Sequence, residues 1–112
     1  MTMQNPVIAT SVRRGGTMLF REVLGSQLRV RRAEQGLTLR QLSARSNVAL
    51  GYLSEIERGR KEPSSELFAA ICRALEIPAS RIVLQCAEAL AVEENKVLPI
   101  QRSQTTKSSK AA

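Results

Sequence analysis

Apolar residues between about positions 20 and 94 recur at spacings of three and four, the period of amphipathic helices. The spacing predicts a first helix from about Arg21 to Gln35, with Leu24, Leu28 and Arg32 on one stripe and Gly36 as its left-handed stop. A second starts at Thr38, a good N-cap, places Leu39 and Leu42 inward and ends near Arg45. Ser46, Asn47 and Val48 separate it from a third, about Leu50 to Arg58, with Leu53 and Ile56 inward and Gly59 at its end. Two short helices joined by so few residues cross at a large angle. Pro63-Ser64 stops the chain and caps a fourth helix, whose Leu67, Ile71 and Leu75 form an i, i+4, i+8 stripe. Pro78 opens a fifth, carrying Ile82, Val83, Leu84, Cys86, Ala87, Ala89, Leu90 and Ala91 as far as Glu93-Glu94. Its apolar residues run nearly all the way round. A terminal helix of that kind needs two covers, the chain's own core and the same helix of a second copy. The pattern therefore predicts an all-α, five-helix domain over residues 20–94, with Ile82, Val83, Cys86, Ala87 and Leu90 at a homodimer interface.

Residues 1–19 carry Pro6 and Gly15-Gly16 and no helical period, which reads as a flexible leader. The patterned sequence begins just after Met18, so Met1 and Met18 both stand as candidate starts. Residues 95–112 are polar, broken by Pro99, and read as a disordered tail.

Charge sharpens this outline. The chain has 112 residues and a net charge of +7, which suits a polyanionic partner. Residues 21–62 hold nine Arg/Lys against five Glu, residues 63–94 hold two Arg against five Glu, and residues 95–112 are basic with no acid. The basic part is thus the middle of the chain and its tail. Aromatics are only 3%, with Phe20, Tyr52 and Phe68 as the whole set, too few for a platform that stacks single-stranded bases. With no His, and with Cys72 and Cys86 inside helical patterns, neither a zinc site nor a Cys-His nucleophile can be assembled. No metal and no cofactor is expected, and without a Gly-rich phosphate loop or an evident carboxylate pair nothing points to an enzyme. No run approaches a membrane span and no signal-peptide core precedes Arg13-Arg14, so the expected location is cytoplasmic.

The stretch "LTLRQLSARSNVALGYLSEIERGRKEPS" resembles the helix-turn-helix of the phage-repressor-like (Cro/C1, xenobiotic-response-element) family, a resemblance that covers about residues 22–85. It implies a lambda-repressor-like fold with an extended C-terminal helix. Within that family, "LFREVLGSQLRVRR" and "LGYLSEIERGRKEPSSELFAAICRAL" are most similar to the actinobacterial regulators of Clp genes. That similarity implies an activator of Clp protease and stress genes. The resemblance also implies an ion pair between Arg32 and Glu57 that is structural, and it implies that the third helix enters the major groove of double-stranded DNA.

On that reading Ala49, Leu50, Gly51 and Tyr52 lie at the end pointing into the groove, with Ser54, Glu55 and Arg58 following on the outward face. Arg58 suits a bidentate contact to guanine, Glu55 can accept from cytosine, and Leu50 can pack on a thymine methyl. Tyr52 has two open roles, packing on the second helix or presenting its hydroxyl to the groove. Thr38 and the backbone N–H groups of Leu39 and Arg40 can hold a phosphate at the start of the second helix, and Arg40, Arg60 and Lys61 add charge at the rim. Three residues depart from the family pattern: Ala49 in place of a capping Ser or Thr, Leu39 in place of a Gln, and Glu76 in place of a Gly or Asn. The last predicts a differently shaped turn before Pro78.

The expected partner is a pseudo-palindromic operator bound by a homodimer. The terminal Ala111-Ala112 resembles the tails by which Clp-type proteases select substrates, making such a protease a second candidate partner. An antitoxin-type repressor and an interaction adaptor that does not bind DNA are the alternatives.

Overall fold

The computed structural model describes residues 18–97, so Ala111-Ala112, Arg13-Arg14 and most of the expected leader and tail lie outside the described residues. Five helices follow in order, and no strand occurs among the described residues: α1 Phe20–Glu34, α2 Leu39–Ser46, α3 Leu50–Glu57, α4 Ser65–Ala74 and α5 Ala79–Val97. Helix α1 packs against both α3 and α5, α2 against α3 and α4, and α4 against α5. One core results, built from Val23, Leu24, Leu28, Leu42, Leu53, Ile56, Ile71, Leu75 and Ile82, each at most 3% exposed.

The start of α1 is set by Glu22, whose carboxylate accepts the Leu19 N–H at 2.8 Å. Met18, placed in the leader by its lack of period, is 3% exposed and belongs to the core. Three helices end in the same six-residue motif, with a left-handed residue at Gly36, Gly59 or Glu76. After α4, Glu76 N–H donates to the Arg73 carbonyl at 3.0 Å and Ile77 N–H to that of Cys72 at 3.1 Å. The turn before Pro78 therefore keeps the shape a glycine would give, with Glu76 at φ 56°. Arg31 holds it by donating from Nε to the Leu75 carbonyl at 3.2 Å and from Nη2 to that of Glu76 at 3.1 Å.

Gly25 fixes how closely α1 and α3 approach. A Cβ there would strike the Ile56 carbonyl oxygen and come within 2.9 Å of the Glu57 carbonyl oxygen. The two backbones touch where α3 ends, and only a glycine lets them.

Helix α5 corrects the expected interface. Ile82 and Cys86 are 0% and 1% exposed, turned into the chain's own core, and Leu90 packs against it. Val83 and Ala87 of the expected set are exposed, and with Leu84 and Ala91 they form an apolar stripe on the side of the helix away from Ile82 and Cys86. The helix also runs three residues past Glu94, with the Glu93 carboxylate buried and 3.6 Å from the Lys96 ammonium. None of the helices among the described residues is long and apolar enough to cross a membrane.

Candidate nucleic-acid interface

The angle between α2 and α3 is set by side chains in the turn. Ser46 Oγ donates to the Leu42 carbonyl at 2.7 Å and accepts the Val48 N–H at 3.3 Å, while Ser43 Oγ donates to the Val48 carbonyl at 2.6 Å. Asn47 takes the left-handed conformation at φ 61°, which asparagine tolerates better than most residues. Val48 is buried beneath the turn. These contacts leave the turn no freedom to flatten.

Helix α2 opens with a reciprocal cap: Gln41 N–H donates to Thr38 Oγ1 at 3.0 Å, and Thr38 N–H donates to Gln41 Oε1 at 2.8 Å. The Thr38 hydroxyl oxygen thus serves as the acceptor of the cap, and its proton is not used by that bond. Leu39 and Arg40 occupy the first two helical positions, ahead of the first intrahelical bond from Leu42 N–H to the Thr38 carbonyl at 3.0 Å. Their own N–H groups point out of the helix end, where an anion is favoured. Arg40, Gln41, Ala44 and Arg45 form the exposed face of this helix. Arg45, which periodicity marks only as the end of α2, is exposed at the opposite edge of that face from Arg40, about 140° round the helix, and is a further phosphate candidate.

Helix α3 begins at Ala49, which makes no side-chain cap, so the N–H groups of Leu50, Gly51 and Tyr52 precede the bond from Leu53 N–H to the Ala49 carbonyl. Leu53 and Ile56 anchor the inner side at 1% exposed each. The outward stripe runs from exposed Gly51 to exposed Arg58 through half-buried Ser54 and Glu55, with Leu50 and Tyr52, also half-buried, on its flanks. A Cβ at Gly51 would meet nothing within 4 Å, so no neighbour inside the chain requires that glycine.

Tyr52 resolves the choice left open by its sequence: its ring packs against the core and its hydroxyl donates to the Glu62 carbonyl at 3.0 Å. It fastens the loop after α3, which carries Arg60 and Lys61, to the helix itself. Arg58 and Arg60 have side chains 60% and 64% exposed, and each lies at the edge of the Glu55 carboxylate, 3.9 and 4.0 Å away.

Arg32 and Glu57 meet behind this face. Arg32 donates from Nε to Glu57 Oε2 at 2.7 Å and from Nη2 to Oε1 at 2.8 Å, and its Nη1 donates to the Leu37 carbonyl at 2.8 Å. The side chains are 17% and 7% exposed, turned away from the outward stripe. The hydrogen bond to Glu57 raises the guanidinium pKa above its ordinary value, against the opposing effect of burial. The pair joins the end of α1 to the end of α3, fixing the tilt at which α3 is presented.

A Helix-turn-helix family matches residues 28–82. The transcriptional regulator ClgR of Mycobacterium tuberculosis is 57% identical over 76 residues, which span 68% of this chain and 68% of that protein. The crystal structure of the clp gene regulator ClgR from C. glutamicum is similar at 47% identity and a TM-score of 0.65, covering 69% of this chain and 99% of that one. At 20% identity, the restriction-modification controller protein C.Esp1396I, a tetramer in complex with its 35 base-pair operator, shares the fold at a TM-score of 0.61 over 65% of this chain and 96% of that one. On the matched domain and on this identity, the chain belongs to the XRE-type helix-turn-helix family of transcriptional regulators, with ClgR among its near relatives.

Proposed function

We propose that this regulator binds double-stranded DNA sequence-specifically as a homodimer, reads the major groove with α3, and activates genes for Clp proteases and other stress proteins. The observation that carries the groove reading is the free end of α3: an uncapped N-terminus, an open position at Gly51 and an outward stripe continuing to Arg58. In a helix-turn-helix that end meets base edges while the preceding helix lies across the backbone. Arg58 is assigned to guanine and Leu50 to a thymine methyl. The N-terminus of α2 with Arg40, together with Lys61 and, on the cognate site, Arg60, is assigned to phosphates. The Val83, Leu84, Ala87 and Ala91 stripe supports pairing of two copies through α5. The gene targets rest on the similarity to proteins named clp gene regulators.

Selection of bound duplexes from a random pool, followed by titration across salt, tests this. The expected product is a pseudo-palindrome with half-sites about 34 Å apart, found also upstream of clp genes and raising reporter output there. Arg58→Ala should lower affinity for it by about 1–3 kcal/mol and relax one base position, whereas Lys61→Ala should weaken all duplexes alike and reduce the salt slope by about 1. No enrichment and a flat salt response would sink the DNA reading. We also assign Ala111-Ala112 to recognition by a Clp protease, which requires that Ala111→Asp with Ala112→Asp lengthen the protein's lifetime in cells.

A further inference from the structure

Glu55 is the acidic member of the outward stripe, and its surroundings give it a task other than accepting from a base. Its two carboxylate oxygens face different guanidinium groups: Oε2 lies 3.9 Å from Arg58 Nη1, and Oε1 lies 4.0 Å from Arg60 Nη1. At those separations the pairs are held by charge and not by hydrogen bonds. The acid is the anchored partner, with a side chain 32% exposed against 60% and 64% for the arginines. Backbone geometry keeps the three together. Arg58 caps the end of α3, and Arg60 N–H donates to the Glu55 carbonyl at 2.9 Å, so the chain folds back around the acid before continuing to Lys61.

Any DNA offers phosphates to two exposed arginines. Moving them there leaves the Glu55 carboxylate unpaired beside a polyanion. A site that gives Arg58 a bidentate base partner within reach of the Glu55 carboxylate keeps that pair together and avoids the cost. We propose that Glu55 is a specificity-determining residue that holds Arg58 and Arg60 off the phosphates of non-cognate DNA. It raises discrimination by weakening the wrong complex, the device of building repulsion against a competitor. The inference rests on the reading that α3 enters the groove.

Fluorescence anisotropy of the full chain with two labelled duplexes, the selected site and a scrambled one, measured across salt, tests it. Glu55→Gln should bind the scrambled duplex about 3–10-fold tighter, with a log–log salt slope steeper by up to about 0.9 for each arginine that gains a phosphate, and its specific-to-nonspecific ratio should fall. Glu55→Asp keeps the charge but draws the carboxylate back from partners already 3.9 and 4.0 Å away, so it should fall between wild type and Glu55→Gln on the scrambled duplex. In an Arg60→Ala background the gain from Glu55→Gln should shrink. Loss of affinity for the selected duplex alone would mean that Glu55 reads a base, and the proposal fails; no change on either duplex overturns it equally. A wild-type chain that binds neither duplex would overturn the groove reading beneath it, which is a separate result. Helical circular dichroism and thermal midpoints of the variants establish that each is folded.

Discussion

Substitution of Gly51 by alanine separates folding from function at a single methyl group. The residue sits in the first turn of α3, and a Cβ built there meets nothing within 4 Å. Inside the chain the change should therefore be favourable. Alanine restricts the unfolded state and suits the helix, and Gly→Ala at an unstrained helical site gains about 0.5–1 kcal/mol. The lower value suits a terminal turn. For a domain of this size it raises the thermal midpoint by about 2–4 °C. On DNA the sign should reverse. If the open position exists so that the N–H groups of Leu50, Gly51 and Tyr52 can come close to base edges or phosphates, the methyl occupies that gap. Loss of one hydrogen bond to a charged group amounts to about 1.5–3 kcal/mol, or roughly 10–100-fold in affinity. Differential scanning calorimetry gives the first quantity and anisotropy on the selected duplex the second. A Gly51→Ala protein that melts higher and binds as tightly as wild type would refute the close approach, and the glycine would then be free of any role in the groove.

Three further outcomes follow from the packing. Gly25→Ala should destabilise by about 2–3 kcal/mol, since α1 and α3 must part where their backbones touch, and urea denaturation should show a lower midpoint with unchanged slope. Arg32→Lys should cost about 2 kcal/mol because a lysine cannot reproduce the two-pronged contact to Glu57 or the bond to the Leu37 carbonyl, and a double-mutant cycle with Glu57→Gln would measure the coupling. Burial pushes the Cys72 and Cys86 thiols up from 9.0 to about 11. Folded pKa values above the unfolded ones mean that the stability they contribute is complete below about pH 9 and is lost as the pH rises towards 11, at up to about 1.4 kcal/mol per pH unit for each thiol. Urea midpoints between pH 8 and 11 should fall more steeply for wild type than for a Cys72→Ala, Cys86→Ala protein.

The inner faces of the helices were legible because burial writes them directly into the spacing. Leu24, Leu28, Leu53, Ile56, Ile71 and Leu75 are all core, as their period required. Features that depend on where one helix meets another were not. Gly25 lies inside "LGSQL" and looks like an ordinary weak spot in a helix; the need for it comes from the Ile56 and Glu57 carbonyls, more than thirty residues on. Glu76 illustrates the same limit in reverse. Its departure from glycine predicts a different turn, yet two backbone hydrogen bonds and the reach of Arg31 hold it left-handed, offsetting a conformational cost of about 1–2 kcal/mol. Tyr52 was undecidable for a related reason, because the acceptor of its hydroxyl is a loop carbonyl that no periodicity locates.

The phase of α5 shows where pattern reading stops. A helix apolar nearly all the way round announces that more than one face is covered, but a stripe must be interrupted by polar residues before its centre can be found. Here the interruption is weak, so Ile82 and Cys86 and their neighbours Val83 and Ala87 are equivalent by composition. The position of α1 breaks that equivalence. By taking Ile82 and Cys86 against the core it leaves Val83 and Leu84 about half exposed, with Ala87 and Ala91 between and beyond them along the same side. Small residues at those two positions let a second helix approach closely, while Val83 and Leu84 supply the area that association must bury. A charge at Ala87 tests this phase more sharply than one at Cys86. Ala87→Glu should leave a folded chain while reducing the mass seen by analytical ultracentrifugation, its thermal midpoint falling only by what association contributed, because it touches a surface the core does not use; Cys86→Glu should unfold the chain whatever its oligomeric state. A dimer that survives Ala87→Glu would place the contact between copies elsewhere.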